Sequence, residues 1–384
     1  MKDFEKKSIV ICSNYAWTIF NFRMPLLKKL RSQGYKIIVL TQFDGYEKKI
    51  SNHVDEVYPL FISRKGINPI IDFFTILNFL SIIIRLKPDC VLTFSIKPVV
   101  YGSFVCQLLK VPCIAMITGL GTGFLLNNWI TSIIKRLYRL ALRRVQVVFF
   151  QNEDDKEIFL KSKLVNVSQC RMIPGSGVDL ERFAYQKLPK KKTVVLLLIA
   201  RMLADKGIYE YVQAAKIVKK YYPHTEFQLL GPLGVQNRAA ISNFQIQTWQ
   251  DQGLITYLGE TDDVVNFIKD STCVVLPSYR EGTSRALLEA AAVGRPIITT
   301  NVPGCREIVD HEVNGLLCLP GNAEDLATKM KEMLSLSDSQ REYMGILGRK
   351  KIENQYDQNI VLELYIYVIG EIIKKNDKLQ GIGL

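Results

Sequence analysis

The sequence predicts an α/β protein of two doubly wound lobes, and its length, composition and pattern of apolar runs point to that fold class. The 384 residues exceed one ordinary core and suit two domains of about 180 residues each. Apolar residues make up 48% of the chain and charged residues 23%, which is typical of a globular protein. Short apolar runs alternate with longer helical patterns, as in parallel sheets buried on both faces.

The first lobe contains five bounded apolar runs that predict buried strands. These runs are residues 8–12, 36–41, 90–94, 113–118 and 145–151. A basic, proline-containing segment at residues 188–193 follows, as is common in interdomain linkers. We therefore predict an N-terminal domain of residues 1–188.

A second set of apolar runs follows the linker and predicts a second lobe of the same class. Its strands are residues 194–200, 226–230, 255–258, 273–276 and 296–300. We predict a C-terminal domain of residues 189–360. Residues 358–375 form a helical pattern that is apolar on one side, and we expect the last segment, residues 361–384, to cross back to the N-terminal domain.

The charge balance favours a polyanionic partner. Fifty Lys and Arg against 37 Asp and Glu give a net charge of +13, which suits nucleic acid, an anionic lipid surface or phosphorylated substrates. The eight cysteines are scattered in apolar runs, which indicates reduced core residues and a cytoplasmic location. Residues 1–7 are charged and lack the apolar segment of a signal peptide.

The most apolar stretch, residues 67–86, is interrupted by polar residues, among them Asp72 and Asn78. We predict that it falls short of the ~18 uninterrupted apolar residues of a membrane-spanning helix.

Residues 276–289 carry the strongest chemical signal. A buried strand ends there, Gly282 allows a turn, and a helix is predicted to open near Thr283 or Ser284. Backbone N–H groups at such a helix start form an anion site that suits a diphosphate. Glu281 precedes this helix and Glu289 lies about two turns later, so that one carboxylate can meet a sugar and the other a ribose. By itself, such a pair of glutamates is more often a helix cap and a surface charge.

The context of the two glutamates resembles the signature of the retaining GT-B glycosyltransferases of family four. Glu281 and Glu289 are separated by seven residues and are followed by the motif-like segments 294–304 and 313–315. The resemblance extends through residues 200–207 and covers nearly the whole chain. It implies a GT-B fold, in which two Rossmann-like doubly wound domains face each other across a cleft.

The resemblance also implies roles for individual residues. Glu289 would bind the ribose hydroxyls of the donor, Glu281 the donor hexose, and Arg201 and Lys206 the diphosphate. We expect Arg201, Lys206 and Glu281 to be catalytic, since fixed cations stabilise a departing nucleoside diphosphate more than the ground state. The expected donor-binding residues are Glu289, Gly282, Thr283, Ser284, Arg285 and Asn14.

Three segments of the first lobe follow predicted strands and are expected to line the cleft, where they could face donor or acceptor: residues 13–23, 93–98 and 118–123. They resemble a branch of the family that assembles bacterial surface polysaccharides on a polyprenyl diphosphate carrier. Lys97 stands in a region where many family members carry a His, so no general base is assigned. The acceptor-side candidates are Arg23, Lys97, Thr118, Gly119 and Gly121.

No metal or cofactor is implied. No Asp-x-Asp element follows a strand, and the three His residues are scattered among unrelated segments. The resemblance suggests a UDP-sugar as the donor, with an N-acetylhexosamine such as GalNAc as the sugar.

A basic amphipathic helix is predicted at residues 129–144, which is typical of a membrane-surface element. Its membrane-docking candidates are Lys135, Arg136, Arg139, Arg143 and Arg144. We expect peripheral attachment to the inner face of the cytoplasmic membrane, through anionic lipid. The alternative is a core-packing helix with a solvated basic face.

The predicted function is therefore retaining, metal-independent transfer of a hexose or N-acetylhexosamine from a UDP-sugar to a polyprenyl-diphosphate-linked saccharide. This step would serve polysaccharide or lipopolysaccharide biosynthesis. One alternative is a GT-B nucleotide-sugar epimerase, against which the scarcity of His counts. The other is a basic nucleic-acid-binding protein, although no helix-turn-helix, zinc or RNA-binding signature is present.

Overall fold

A computed structural model describes residues 6–62, 68–120, 129–190, 193–234, 237 and 239–381; for residues 130 and 379–381 it describes the backbone alone. The chain divides into two compact units. The first comprises Met1–Ser176 and Val361–Leu384, and the second comprises Gly177–Ile360.

The first unit is an α/β layer structure around a parallel sheet. Its described strands are β1 Ser8–Tyr15, β2 Lys36–Gln42, β3 Glu56–Pro59, β4 Cys90–Phe94, β5 Cys113–Ile117, β6 Val147–Phe150 and β7 Cys170–Met172. They pair in the order β3-β2-β1-β4-β5-β6-β7, with every pair parallel. The order reverses between β1 and β4, which makes that point the topological switch of the sheet.

Helices cover both faces of this sheet. The described helices are α1 Ala16–Phe22, α2 Met24–Ser32, α3 Glu47–Ser51, α4 Pro69–Leu86, a π-helical turn Pro98–Gly102, α5 Ser103–Leu109, α6 Trp129–Leu142 and α7 Glu153–Lys161, with a 3₁₀ turn at Val167–Gln169. Alternate residues of β1 pack into the helix layers on the two sides of the sheet, because successive side chains of a strand point to opposite faces. Val10 packs in the cluster formed by α4 to α7, whereas Ile9 and Ile11 pack with α1 and α2.

The second unit repeats this architecture. Its described strands are β8 Val195–Ile199, β9 Glu226–Leu230, β10 Thr256–Tyr257, β11 Cys273–Leu276, β12 Ile297–Thr300 and β13 Gly315–Cys318. They form a parallel sheet of order β10-β9-β8-β11-β12-β13, with its switch point between β8 and β11. Its helical elements are a 3₁₀ turn Ala204–Lys206, α8 Ile208–Lys219, α9 Asn243–Asp251, α10 Val265–Asp270, α11 Arg285–Val293, α12 Ala323–Ser335 and α13 Asp338–Gln355.

The two doubly wound lobes are confirmed, and three strands were not predicted. β3, β7 and β13 each have three or four residues and lie at the edges of their sheets. β3 begins with Glu56 and ends with Pro59, and β7 contains Arg171, so neither is a continuous apolar run. β13 is apolar apart from Gly315 and was missed.

The boundary between the units lies earlier than the predicted position after residue 188. The Val178 N–H donates to the carbonyl of Tyr356, and Phe183 is buried in the core of the second unit. Arg295 donates to the carbonyls of Gln186 and Lys187. The segment 177–188 therefore belongs to the second unit and precedes the predicted linker at residues 188–193.

The last helix, α14 Gln358–Gly381, supplies core residues to the first unit. Its side chains Val361, Tyr365 and Ile369 are buried in the same cluster as Ile9 and Ile11. The Tyr365 ring makes edge contacts with Phe94 and Phe149 of two central strands.

α4 is more apolar than the sequence analysis predicted. Its 18 residues have a mean hydropathy of 1.8, so by length and composition it could cross a bilayer. Asp72 and Asn78 do interrupt the apolar run, as predicted, but they do not lower the mean hydropathy enough to exclude a membrane-spanning helix by length and composition. One side of α4 nevertheless packs in the core of the first unit through Thr75, Phe79 and Ile83.

Candidate active site

Two loops meet at the switch point of the second sheet and carry most of the predicted donor residues. The loop after β8 leads through Arg201 and Lys206 into α8. The loop after β11 contains Glu281 and leads into α11. β8 and β11 are neighbours, so the carboxyl ends of both strands lie side by side where α/β sheets bind ligands.

Two glycines hold these loops in contact. Gly207 has a φ of +73°, and a Cβ there would lie 2.1 Å from the carbonyl oxygen of Pro277. Gly304 has a φ of +79°, and its Cβ would lie 2.5 Å from the carbonyl oxygen of Glu281. Only glycine allows such close approach of one backbone to another in this conformation. The Glu281 loop is therefore fixed against both the β8 loop and the turn after β12.

Lys206 and Glu281 form an ion pair, with Nζ and Oε1 2.6 Å apart. Both side chains are half-buried, and the residues are 75 positions apart in the sequence. Arg201 is exposed and makes no ion pair within the described part of the chain. The structure thus brings Lys206 and Glu281 together and leaves Arg201 on the surface of the same loop.

Helix α11 begins at Arg285 with Ser284 as its N-cap, in agreement with the predicted helix start. The Ser284 side chain makes no capping hydrogen bond to the first turn, and its backbone N–H donates to the carbonyl of Gly304. Gly282 and Thr283 are half-buried in the preceding turn. The first-turn N–H groups of α11 thus lie directly after the Glu281 loop.

Glu289 lies one turn into α11 and is buried. Its Oε1 accepts a hydrogen bond from Nε of Arg285 at 2.6 Å. Burial raises the pKa of the Glu289 carboxyl, and the nearby Arg285 guanidinium opposes that shift. A buried carboxylate close to a cation can accept hydrogen bonds from ligand hydroxyls without losing its charge.

A second set of contacts, which the sequence analysis missed, holds the β11 loop to the 3₁₀ turn. The Tyr279 N–H and the Ser278 hydroxyl both donate to the carbonyl of Asp205. The Tyr279 hydroxyl donates to Glu210 at 2.7 Å, and this bond raises the pKa of Tyr279 to about 12. The only sequence signal was the position of these residues directly after strands.

The first unit has a comparable arrangement at its own switch point. Asn14 lies near the end of β1, and its Oδ1 is buried without a hydrogen-bond partner among the described residues. The neighbouring Ser13 hydroxyl lies 3.4 Å from that of Ser95, which follows β4 and has a φ of +72°. Thr118 and Gly119 follow β5 at the same edge, while Gly121 lies outside the described residues.

Lys97 is held by a partner that the sequence did not reveal. Its Nζ lies 2.7 Å from Oδ1 of Asp72, a buried residue in the first turn of α4. The pair ties the loop after β4 to α4. Lys97 is half-buried and paired, and so it is not a freely solvated loop charge.

The prediction that Arg23 faces a ligand is not supported. Arg23 is buried, and its guanidinium carbon lies 4.3 Å from the ring centroid of Phe94. Its stacking on an aromatic core residue gives it a packing role in the first unit.

The basic residues of the predicted docking helix differ in exposure and in hydrogen bonding. Arg136, Arg143 and Arg144 are exposed on or directly after α6. Arg139 instead donates to the carbonyls of Ser162 and Lys163 at the end of α7. Lys135 is half-buried.

Within the residues described, no three His, Cys, Asp or Glu side chains cluster as a metal site would require. All eight cysteines are buried as free thiols.

Each of the two units is built on a parallel, doubly wound sheet, as in the GT-B fold. Residues 179–351 match the family described as glycosyl transferases group 1, and residues 9–152 match the family described as glycosyl transferase 4-like. The chain belongs to the GT-B glycosyltransferases of this family-four type, and its activity is glycosyl transfer.

The relatives include two enzymes that span nearly the whole chain. The N,N'-diacetylbacillosaminyl-diphospho-undecaprenol alpha-1,3-N-acetylgalactosaminyltransferase of Campylobacter jejuni is 26% identical, over 93% of this chain and 96% of the relative. The UDP-Gal:alpha-D-GlcNAc-diphosphoundecaprenol alpha-1,3-galactosyltransferase of Escherichia coli is 25% identical, over 94% of each. Neither relative is named as an epimerase or a nucleic-acid-binding protein, so those alternatives receive no support.

Among solved structures, HepE of Anabaena in complex with UDP and glucose has a TM-score of 0.77 to this chain. It is 15% identical, and the match covers 94% of this chain and 99% of HepE. At that identity the likeness shows the shared fold.

Proposed function

We propose that this enzyme transfers a hexose or N-acetylhexosamine, such as GalNAc, from a UDP-sugar to a polyprenyl-diphosphate-linked saccharide, with retention of configuration. The observation that carries the proposal is the Lys206–Glu281 pair at the second switch point, directly before helix α11. The names of the two relatives, both acting on diphosphoundecaprenol-linked sugars, support the substrate class.

The donor roles follow from the charges of the site. Lys206 and the exposed Arg201 attract the diphosphate, and the start of α11 adds its backbone N–H groups and its dipole. The diphosphate then competes with Glu281 for Lys206, which leaves the Glu281 carboxylate to accept hydrogen bonds from the hexose. Glu289, whose Oε1 is bonded to Arg285, accepts from the ribose hydroxyls.

The reaction needs no base from the protein in this proposal. The bond from the anomeric carbon to the β-phosphate oxygen breaks, and the acceptor hydroxyl oxygen forms the new bond on the same face of the sugar. The acceptor proton passes to the departing phosphate oxygen. Lys206 and Arg201 stabilise the charge that grows on UDP, so their effect is larger in the transition state than in the ground state. Both relatives are named as forming alpha linkages, which fits retention from an α-linked UDP-sugar.

Metal independence is part of the proposal and has a direct test. Activity is expected to survive excess EDTA, because Lys206, Arg201 and the α11 start supply the positive field that a divalent ion would give. The measurement is the initial transfer rate with and without chelator, after the enzyme has been dialysed against it. Loss of transfer that Mg²⁺ or Mn²⁺ restores would overturn this part of the mechanism.

On the acceptor side, we propose that Lys97, Thr118 and Gly119 contact the lipid-linked saccharide. Asn14, which was predicted to bind the donor, joins them in this proposal because it lies near the end of β1 at the same sheet edge. The half-buried Lys97, fixed by Asp72, offers a positive charge suited to the acceptor diphosphate. The unpartnered Asn14 Oδ1 offers an acceptor for a sugar hydroxyl.

We further propose that α6 holds the enzyme at the inner face of the cytoplasmic membrane through anionic lipid. Arg136, Arg143 and Arg144 are the exposed cations that carry this attraction. Changing all three to Gln is expected to weaken binding to anionic vesicles by about tenfold or more, since each basic residue near such a surface contributes ~1 kcal/mol. Wild-type binding should fall with rising salt, and the variant should be less sensitive to salt.

Two controls accompany the vesicle measurement. Changing the exposed Lys216, Lys220 and Lys350 of the second unit to Gln removes the same charge and should leave vesicle binding nearly unchanged. Arg139→Gln tests the structural alternative, because Arg139 bonds to the end of α7; we expect a lower melting temperature with little change in binding. Unchanged vesicle binding in the Arg136/Arg143/Arg144 variant would remove α6 from the docking surface.

The substrate proposal is tested by a screen of UDP- and GDP-sugars against a polyprenyl-diphosphate-linked saccharide. We expect turnover with one or a few UDP-sugars and none with GDP-sugars. Turnover with GDP-sugars alone would contradict the donor assignment.

A further inference from the structure

The outward face of α4 is an apolar surface that the fold of the first unit does not cover. Phe73, Phe74 and Ile70 are 57%, 61% and 69% exposed, and Leu77 continues the same face one turn further. The opposite face of α4 packs into the core through Thr75, Phe79 and Ile83. A helix that is apolar on both sides needs a second apolar partner, and exposed patches of this kind mark interaction sites.

The stretch of sequence that contains α4 and α6 is strongly basic. Residues 57–152 contain eleven Lys and Arg but only two carboxylates, Asp72 and Asp89. Asp72 is buried against Lys97, and Asp89 pairs with Lys7, so neither carboxylate opposes an anionic surface. This segment has a net charge of +9 out of the +13 of the whole chain.

α4 and the basic helix α6 belong to the same layer of the first unit. Both pack against α5 and the π-helical turn, on one face of the sheet. α6 also exposes Trp129 and Ile133 beside its arginines. Aromatic and aliphatic side chains surrounded by cations are the composition of elements that lie in the interface of an anionic bilayer.

We propose that the face formed by Ile70, Phe73, Phe74 and Leu77, here called the α4 face, inserts into the acyl region of an anionic lipid bilayer. α4 lies in the plane of the interface and does not cross it, because extraction of Phe79 and Ile83 from the core would expose them. This inference rests on the proposed function, since a lipid-linked acceptor requires access to a membrane.

Insertion of the α4 face also brings the acceptor loops to the membrane. The ion pair of Asp72 with Lys97 joins the first turn of α4 to the loop after β4. That loop lies at the same sheet edge as Asn14 and Thr118. The bilayer therefore meets the protein next to the residues assigned to the acceptor.

The test measures partitioning of the full chain into vesicles of phosphatidylglycerol and phosphatidylcholine at high salt, where the contribution of the arginines is screened. Phe73→Gln combined with Phe74→Gln should lower the partition coefficient at least about tenfold, because two large apolar side chains no longer enter the acyl region. The matched control is Phe244→Gln, which changes an 82% exposed phenylalanine of the second unit and should leave partitioning unchanged.

A second double variant, Ile70→Gln with Leu77→Gln, covers the case in which the first does not fold. In a chain whose three native Trp are changed to Phe, the fluorescence of Phe74→Trp should be quenched by lipids brominated in the acyl chain, and that of Phe244→Trp should not. Unchanged partitioning in both double variants, or equal quenching at the two positions, would overturn the proposal. Self-association of the wild-type protein that is lost in the variants would also overturn the proposal, since the α4 face would then bind a second copy of the chain.

Failure of the α4 insertion and failure of the proposed function would give different experimental results. Transfer to a detergent-solubilised acceptor should be unchanged in the α4 variants, because the donor residues lie in the second unit. A wild-type enzyme that fails to use any lipid-linked acceptor contradicts the function, whereas normal transfer with unaltered partitioning contradicts the α4 insertion alone.

Discussion

Lys206→Met is expected to reduce kcat by about a hundred- to a thousandfold, since it removes a fixed cation that faces the departing diphosphate. The loss should fall on kcat more than on KM, because the charge on UDP grows only as the glycosidic bond breaks. Stability should fall by about 1–3 kcal/mol, since the half-buried Glu281 carboxylate loses its partner. Steady-state rates and melting temperatures of the same preparations check both expectations.

The control for this prediction is Lys216→Met in the neighbouring helix α8. Lys216 is exposed and lies outside the site, so its loss removes the same charge without touching the β11 loop. Equal activity of the Lys206 and Lys216 variants would mean that the Lys206–Glu281 pair holds the loop and plays no part in the reaction.

Glu289→Ala is expected to weaken UDP binding by about 1–3 kcal/mol, because the ribose hydroxyls lose a charged acceptor. Calorimetry with UDP measures this change. Binding of inorganic pyrophosphate, which has no ribose, should stay the same. A UDP analogue without the ribose 2′- and 3′-hydroxyls should bind poorly to the wild type and no worse to the variant.

The chain supplies a matched control for Glu289. Glu353 on α13 accepts from Arg349 with the same i to i+4 spacing and the same 2.6 Å distance as the Glu289–Arg285 pair. Glu353→Ala therefore breaks an equivalent pair away from the site and should leave UDP affinity unchanged. An unaltered UDP affinity in Glu289→Ala would exclude Glu289 from the donor site.

The parts of the fold that the sequence predicted are those with strong local patterns. The central strands of both sheets are buried on both faces, so each appears as an uninterrupted apolar run, as residues 90–94 and 273–276 do. The edge strands β3 and β7 lack such an apolar run. The domain boundary was misplaced because segment 177–188 is fixed by contacts with Tyr356 and Arg295, which are more than 100 residues away.

In the candidate site, the sequence likewise indicated single residues but not the contacts between residues far apart in the chain. The resemblance pointed to Glu281, Glu289, Arg201 and Lys206 one by one, but the Lys206–Glu281 pair depends on the adjacency of β8 and β11. The partner of Lys97 was also hidden, since Asp72 lies 25 residues earlier. Arg23 shows the reverse case: its position after a strand suggested a ligand contact, yet its guanidinium packs on Phe94.

The central claim is retaining glycosyl transfer to a lipid-linked saccharide without a metal. The most direct measurement is the proton NMR spectrum of the product formed from an α-linked UDP-sugar and a polyprenyl-diphosphate-linked saccharide in the presence of EDTA. We expect an α-glycosidic linkage, recognised by its small coupling constant between the first two sugar protons. A β-linked product would contradict retention, and no transfer from any UDP-sugar would contradict the assignment of the donor.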